Sequence, residues 1–367
     1  GEEAWRTYTI PGRGEFGYDS WGDVPDEDRR GGSAWNSPSY DPELNLIYTG
    51  VGVPIPWGSV QRGTGDGDVL YTNSTLALNA DTGDIVWYFQ HIPNDEWDLD
   101  HPYARLVVET EVSPDAAVRW KNSSITPGGR RKIVTGIPGK TGIVWALDAA
   151  TGAFLWAEPT NYQNVVVDID AESRRVILNS ALKFPEVGKP VFVCPSALGG
   201  INWQATAYHP GTNALYAPTN NVCMDLTLNQ FRDRPGAHHG SARIAQAPAP
   251  DIDGEIGQFT AMDLTTGQPL WVYRQRAGMG GSVLTTGGGL VFVTDDARRF
   301  RAFDARSGDI LWEQILNSSA GGFPVSYMHD GVQYLAIAAG GGINFRGLTP
   351  EIQQPGRGNT LFVFKLP

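Results

Sequence analysis

Apolar residues in this chain fall in short runs broken by Gly, Asp, Asn and Pro, and helical periodicity is weak along its whole length. Short apolar runs bounded by turn formers predict strands joined by tight turns. One unit recurs four times, Ala-x-Asp/Asn-x-x-Thr/Ser-Gly-x-x-x-Trp: residues 77–87 (ALNADTGDIVW), 146–156 (ALDAATGAFLW), 261–271 (AMDLTTGQPLW) and 302–312 (AFDARSGDILW). Each copy predicts strand, turn, strand. The Asp or Asn caps the turn, Gly takes the positive φ that other residues resist, and the Trp packs at the edge of its sheet. A second unit occurs twice, at residues 40–48 (YDPELNLIY) and 208–216 (YHPGTNALY), and predicts hairpins with a Pro-led turn. The last two Trp units lie 41 residues apart, the length of one four-stranded blade. The pattern predicts an all-β propeller with roughly five blades. Residues 1–5 (GEEAW) match only the Gly-x-x-x-Trp tail, so the chain reads as starting mid-turn, with earlier blades and any export signal missing. Residues 358–367 (GNTLFVFKLP) read as a terminal strand.

The 367 residues suit one large all-β domain, and 45 Gly, 25 Pro and 12 Trp suit short strands and tight turns around aromatic packing. The formal net charge of −12, with no basic run, argues against nucleic acid and anionic membranes as partners. No apolar stretch approaches the length of a membrane span. Cys194 and Cys223 are open to two readings, buried thiols or one disulfide.

Several local patterns carry little. Residues 12–17 spell Gly-x-Gly-x-x-Gly but lack the strand and helix that a dinucleotide site needs. Asp66-Gly67-Asp68 lacks the other ligands of a calcium loop and reads as a polar turn. Asn73-Ser74-Thr75 is a bare glycosylation pattern. His238 and His239, in a loop rich in Pro, Gly and Ala, lack further ligands and read as solvated.

The stretch from Pro93 to Asp100 packs Asp95, Glu96, Asp98 and Asp100 into six residues. In a strand, Asp98 and Asp100 would share one face and repel unless a cation or a shared proton neutralised them. Taken alone, the run also reads as an acidic solvated loop.

In sequence context, this stretch resembles the active-site segment of the pyrroloquinoline quinone (PQQ)-dependent alcohol and methanol dehydrogenases. The resemblance implies the eight-bladed quinoprotein propeller. It implies that Asp98 is the catalytic base and a metal ligand, and that Asp100 is the second Asp of lanthanide-using members. A hard trivalent cation favours more anionic oxygen donors than calcium does. Gly31-Gly-Ser-Ala-Trp35 resembles the strand whose Trp lies flat on the cofactor, which implies cofactor contacts for Trp35 and Ser33. Residues 48–52 (YTGVG) resemble the stretch before a metal-binding Asn, but Val53 stands there and cannot ligate a metal. Pro138-Gly-Lys140-Thr-Gly142 resembles the loop whose basic residue reaches the quinone oxygens; otherwise Lys140 reads as a solvated turn lysine. Residues 194–203 (CPSALGGINW) resemble another cofactor segment, with Asn202 as a donor to the quinone beside Trp203. Residues 340–345 (GGGINF) resemble the loop that closes over the cofactor and add Phe345. The resemblance also implies a Cys194–Cys223 disulfide.

The activity implied by the resemblance is oxidation of a small alcohol to an aldehyde or ketone by hydride transfer to PQQ, with a lanthanide(III) or Ca2+ ion. Electrons would pass to an external acceptor of the cytochrome c type, in the periplasm. A homodimer is compatible with it. The competing reading is a non-catalytic or decayed propeller scaffold, and a third is a cofactor-free sugar-binding propeller.

Overall fold

In the computed structural model, residues 1–230, 242–342, 345–352 and 358–365 are described. They form antiparallel sheets that follow one another along the chain. The first sheet runs Ser39–Asp41, Leu46–Gly50, Ser74–Asn79, Ile85–Gln90. The second runs Leu106–Val112, Gly129–Gly136, Ile143–Asp148, Phe154–Pro159, with Trp120–Lys121 added outside. The third runs Ala207–His209, Ala214–Asn220, Gly257–Asp263, Pro269–Gln275, and the fourth runs Leu284–Thr285, Leu290–Thr294, Arg299–Asp304, Ile310–Ile315. A three-stranded sheet follows, Val325–His329, Val332–Ala339 and Thr360–Lys365. Central strands such as Arg299–Asp304 are buried on both faces, whereas the outer strand Ile310–Ile315 is mostly exposed. That difference explains the continuous apolar runs, because a strand covered on both sides needs no alternation.

The core lies between successive sheets. Leu46, Tyr48, Trp87 and Phe89 of the first pack against Trp145, Leu147 and Phe154 of the second. Leu155 and Trp156 meet Leu215, Ala217 and Met262, and Tyr216 and Phe259 meet Val293 and Phe303. Burying each such large side chain is worth roughly 1.5–3 kcal/mol, so these seams dominate cohesion.

The repeated turns form as their residues require. Asn79 Oδ1 accepts the amides of Asp81 and Thr82, at 2.9 and 3.1 Å, and Asp304 Oδ1 accepts those of Arg306 and Ser307, at 2.8 and 3.0 Å. Trp87 and Trp271 lie on the outermost strands of their sheets, as expected, and also reach the turn of the next unit. Trp87 lays its ring over Gly152 and donates Nε1–H to Ala149 O at 3.0 Å. Trp271 covers Gly308 and donates to Ala305 O at 3.1 Å. Trp5 covers Gly83 and donates to Ala80 O at 2.9 Å. Gly152 sits at φ +68, and a Cβ there would lie 2.5 Å from the Trp87 ring, so both backbone and space demand glycine. The closing tyrosines of the two Pro-led hairpins join the contact. Tyr48 donates to Ala149 O at 3.0 Å, and Tyr216 to Ala305 O at 2.8 Å.

The insertion between the second and third sheets carries a hairpin, Val166–Asp170 with Arg175–Leu178. It also begins a three-stranded sheet of Pro190–Val193, Val222–Leu228 and Ala242–Pro248. Arg175 grips Asp68 with two hydrogen bonds of 3.0 Å and Lys183 pairs with Asp66 at 2.6 Å, so Asp66-Gly67-Asp68 is a polar turn pinned by cations. No helix among the described residues is long and apolar enough to cross a membrane.

Candidate active site

The turns that carry the Trp–Gly contacts all lie at one end of the strands. At the other end, the chain leaves strand Leu46–Gly50 into residues 51–57, leaves Ile85–Gln90 into 91–105, and enters Ile143–Asp148 from 137–142. These loops converge. Lys140 Nζ lies 2.8 Å from Asp98 Oδ2 and 2.9 Å from Asp100 Oδ2. The route differs from the sequence expectation. Residues 93–100 are not a strand, and Asp98 sits in the left-handed region at φ +64. The two carboxylates meet because the loop curls around Lys140, whose ammonium is the cation that their proximity requires.

Lys140 is no solvated turn lysine. It is buried, its N–H donates to Asp100 O at 2.9 Å, and its carbonyl accepts from Gly200 N–H at 2.7 Å. Gly139 permits this approach, because a Cβ there would collide with Asp100 O and the His101 ring. Burial alone would lower the Lys140 pKa, but Asp98 and Asp100 outweigh it and raise the group above its ordinary value. Burial pushes the Asp98 carboxyl up to about 7, against the pull of Lys140. A carboxylate so placed changes protonation near neutral pH, as a general base must. Val53 is buried in the core between the first two sheets. Its backbone N–H takes part where its side chain cannot, donating to Asp100 Oδ1 at 3.2 Å.

Around this centre stand the other predicted residues. Trp35 is 48% exposed, with its ring edge-on to Tyr103 at 5.6 Å between centroids. Tyr103 is buried and donates its hydroxyl to Asn202 Oδ1 at 2.9 Å. Asn202 also accepts the Trp203 N–H at 3.0 Å and donates to Leu198 O at 3.0 Å. Trp203 is 36% exposed and reaches Gly321 O through Nε1 at 3.4 Å. Ser33 is exposed, and its carbonyl accepts from Gly52 N–H at 3.0 Å. A Cβ on Gly52 would lie 3.0 Å from Asp100 Oδ1 and 3.5 Å from Ser33 Oγ, so these two line one small space. Phe345 is buried in an apolar cluster with Val222 and Ile256, against which Leu198 packs.

Tyr103, which ties Trp35 to Asn202, was missed from sequence; its only signal was an aromatic residue soon after Asp100. His91 and His101 were also missed. They stack at 5.1 Å under the loop, with His101 Nδ1–H donating to Leu99 O at 2.7 Å. Cys194 and Cys223 form a disulfide. Asn73 is fully buried, so its glycosylation pattern is inaccessible. His238 and His239 lie outside the described residues.

Against known proteins, the model of the PQQ family, "Glucose/ethanol/alcohol dehydrogenase, beta-propeller domain", matches residues 1–158 and 252–335. The chain belongs to this PQQ dehydrogenase β-propeller family. Asn202, Trp203 and the disulfide fall between the two matched stretches. Quinoprotein alcohol dehydrogenase PedH of Pseudomonas putida is 33% identical over 350 residues, covering 92% of this chain and 55% of that protein. A lanthanide-dependent methanol dehydrogenase of Methylorubrum extorquens is 31% identical over 338 residues, 89% of this chain and 53% of that one. Among solved structures, the quinohemoprotein alcohol dehydrogenase ADHIIG of P. putida HK5 superposes with a TM-score of 0.80 at 32% identity, over 93% of this chain and 51% of that one. A europium-containing methanol dehydrogenase gives 0.78 at 27% identity, over 92% of this chain and 60% of that one. The PQQ-family chain thus spans about half the length of the curated relatives it matches.

Proposed function

We propose that this chain carries the proton-abstracting half of a PQQ-dependent alcohol dehydrogenase site, which oxidises an alcohol to an aldehyde or ketone. The observation that carries the reading is the buried Asp98–Lys140–Asp100 centre beside the exposed Trp35 ring. When bound, the quinone supplies the hydride acceptor. The donor set fits it. Trp35 offers an aromatic wall to a planar ring. Lys140 offers a buried cation to its oxygens. Asn202 Nδ2 uses one hydrogen at Leu198 O and has a second to give. Ser33 brings a hydroxyl. Asp98 takes the substrate hydroxyl proton, and Lys140 holds the carboxylate on the reacting side.

For a metal ion, the chain offers Asp98 and Asp100. Two hard anionic donors suit Ca2+ or a lanthanide. They do not make a closed site, since no group of three or more acidic, His or Cys side chains fit to hold a metal exists among the described residues, so no step is assigned to a metal. Support for an external cytochrome c-type acceptor comes from a relative named "Methanol dehydrogenase [cytochrome c] subunit 1", and a periplasmic setting is part of the same proposal. Val53, with no ligating side chain, favours the second reading, a non-catalytic quinone-binding propeller.

The test is dye-linked oxidation of primary and secondary alcohols by the PQQ-reconstituted protein, with Ca2+ and La3+ in parallel. Turnover that Asp98→Asn removes while PQQ binding persists is the expected result. Turnover surviving in Asp98→Asn sinks the base assignment. PQQ binding without turnover under either ion selects the second reading.

A further inference from the structure

The backbone that presents Asp98 is held by two residues with no part in the proposed chemistry. Asp95 and Asn73 are both buried, at 1% and 0% exposure. Asp95 Oδ1 accepts the Trp97 N–H at 2.6 Å, and Oδ2 accepts the Leu99 N–H at 2.7 Å. The amides on either side of Asp98 therefore end on one carboxylate. Asn73 Nδ2 completes the arrangement, donating to Asp95 Oδ2 at 2.7 Å and to Leu99 O at 3.0 Å. Asn73 is itself fixed to two elements of the site. Its N–H donates to Gly52 O at 3.0 Å, and its carbonyl accepts from His91 N–H at 2.9 Å. Arg62 donates to Asp95 O at 3.1 Å from the other side.

A chain whose amides at Trp97 and Leu99 both turn inward to one anion must curl between them. Asp98, the residue between, takes φ +64, where a residue with a side chain rarely sits without compensation. In an extended stretch the Asp98 carboxylate would not meet Lys140 by this route. The curl brings it to 2.8 Å from Nζ.

We infer that Asp95 and Asn73 are positioning residues for Asp98: the buried carboxylate, oriented by the Asn73 amide, sets the left-handed backbone that aims the base. This rests on the alcohol-oxidation reading for its functional consequence, but not for its geometry. Asp95→Asn keeps the volume and leaves a single acceptor oxygen, which cannot serve Trp97 N–H, Leu99 N–H and Asn73 together.

The experiment pairs a crystal structure of Asp95→Asn with kinetics of the PQQ-reconstituted protein. Expected are an Asp98 Oδ2–Lys140 Nζ separation beyond about 4 Å, outside hydrogen-bond range, and a fall in kcat of about tenfold or more. The alcohol KM and the PQQ affinity should each stay within about threefold, because an interaction needed only in the transition state has been lost. An unchanged Asp98–Lys140 pair overturns the inference. So does a loss of PQQ binding in step with turnover, which would mark Asp95 as a general support of the fold. Should Asp95→Asn fail to fold, Asn73→Ser, which removes one donor from the carboxylate, decides instead. It should show the same displacement with a smaller drop in kcat, about threefold, and wild-type geometry with wild-type kcat overturns the inference. A parent protein that binds PQQ but oxidises no alcohol defeats the functional reading alone, and the crystallographic distance still judges the positioning.

Discussion

His91 lies beneath the loop that carries Asp98, as a neutral ring. Burial drives its pKa well below the ordinary imidazole value, with the neighbouring His101 and Arg105 adding to the effect. Its Nε2 shares a hydrogen bond of 2.8 Å with the Thr75 hydroxyl. An unfolded His91 titrates near 6.5 and the folded ring far lower, so at intermediate pH the unfolded chain binds the extra proton. The stability from burying the neutral ring is complete above that unfolded value and is lost as pH falls below it. Between about pH 7.5 and about pH 5.5 the wild-type protein should therefore lose more melting temperature on acidification than His91→Gln; parallel curves for the two proteins would remove His91 from the account. Asp98, Asp100 and Lys140, which the structure brings together, had each been singled out from the sequence, because side-chain type carries that signal. The part played by the Val53 amide was not, since a backbone donor leaves no trace in residue identity. The curl at Asp98 was equally hidden, because it depends on two backbone amides sharing the Asp95 carboxylate, which residue identity does not announce.

At the scale of the element, the repeat unit was read correctly as strand, turn, strand, but the partner of its Trp was not foreseen. The omission has a physical origin. Trp87 answers to Gly152, 65 positions on, and a pattern within one unit cannot say what the next unit offers. The contact makes a quantitative prediction. Gly152→Ala must place a Cβ both at φ +68 and against the Trp87 ring. A left-handed residue costs roughly 1–2 kcal/mol and overpacking about 1–3, so a loss of about 2–5 kcal/mol is expected in denaturant unfolding. Gly331→Ala is the control. Its φ is +75 with nothing within 4 Å of the added carbon, so only the backbone share, about 1–2 kcal/mol, should appear. Equal losses at the two positions would show that the Trp ring yields.

Across the whole molecule, the order of sheets follows the order of repeats, which is why the propeller was readable from the sequence. The insertion between the second and third sheets was not, for its hairpin and three-stranded sheet carry neither repeat unit. The Cys194–Cys223 bond closes a loop 29 residues long that contains the first two strands of the third sheet. Loop-closure entropy for that length corresponds to about 3–4 kcal/mol. The Cys194→Ser, Cys223→Ser double variant should lose about that much in denaturant unfolding, and a loss under about 1 kcal/mol would mean the loop is already ordered in the unfolded chain.

The strands hold their Trp–turn contacts at one rim and the Asp98–Lys140–Asp100 cluster at the other. Tyr48, Trp87 and Gly152 meet at the first; Asp98, Asp100 and Lys140 meet at the second. The turn contacts and the proposed site thus draw on different ends of the same strands. For an engineer, this means that, on the alcohol-oxidation reading, loops on the Asp98 rim can be exchanged between relatives to alter which molecule is admitted, with the Trp–turn contacts of the opposite rim left untouched.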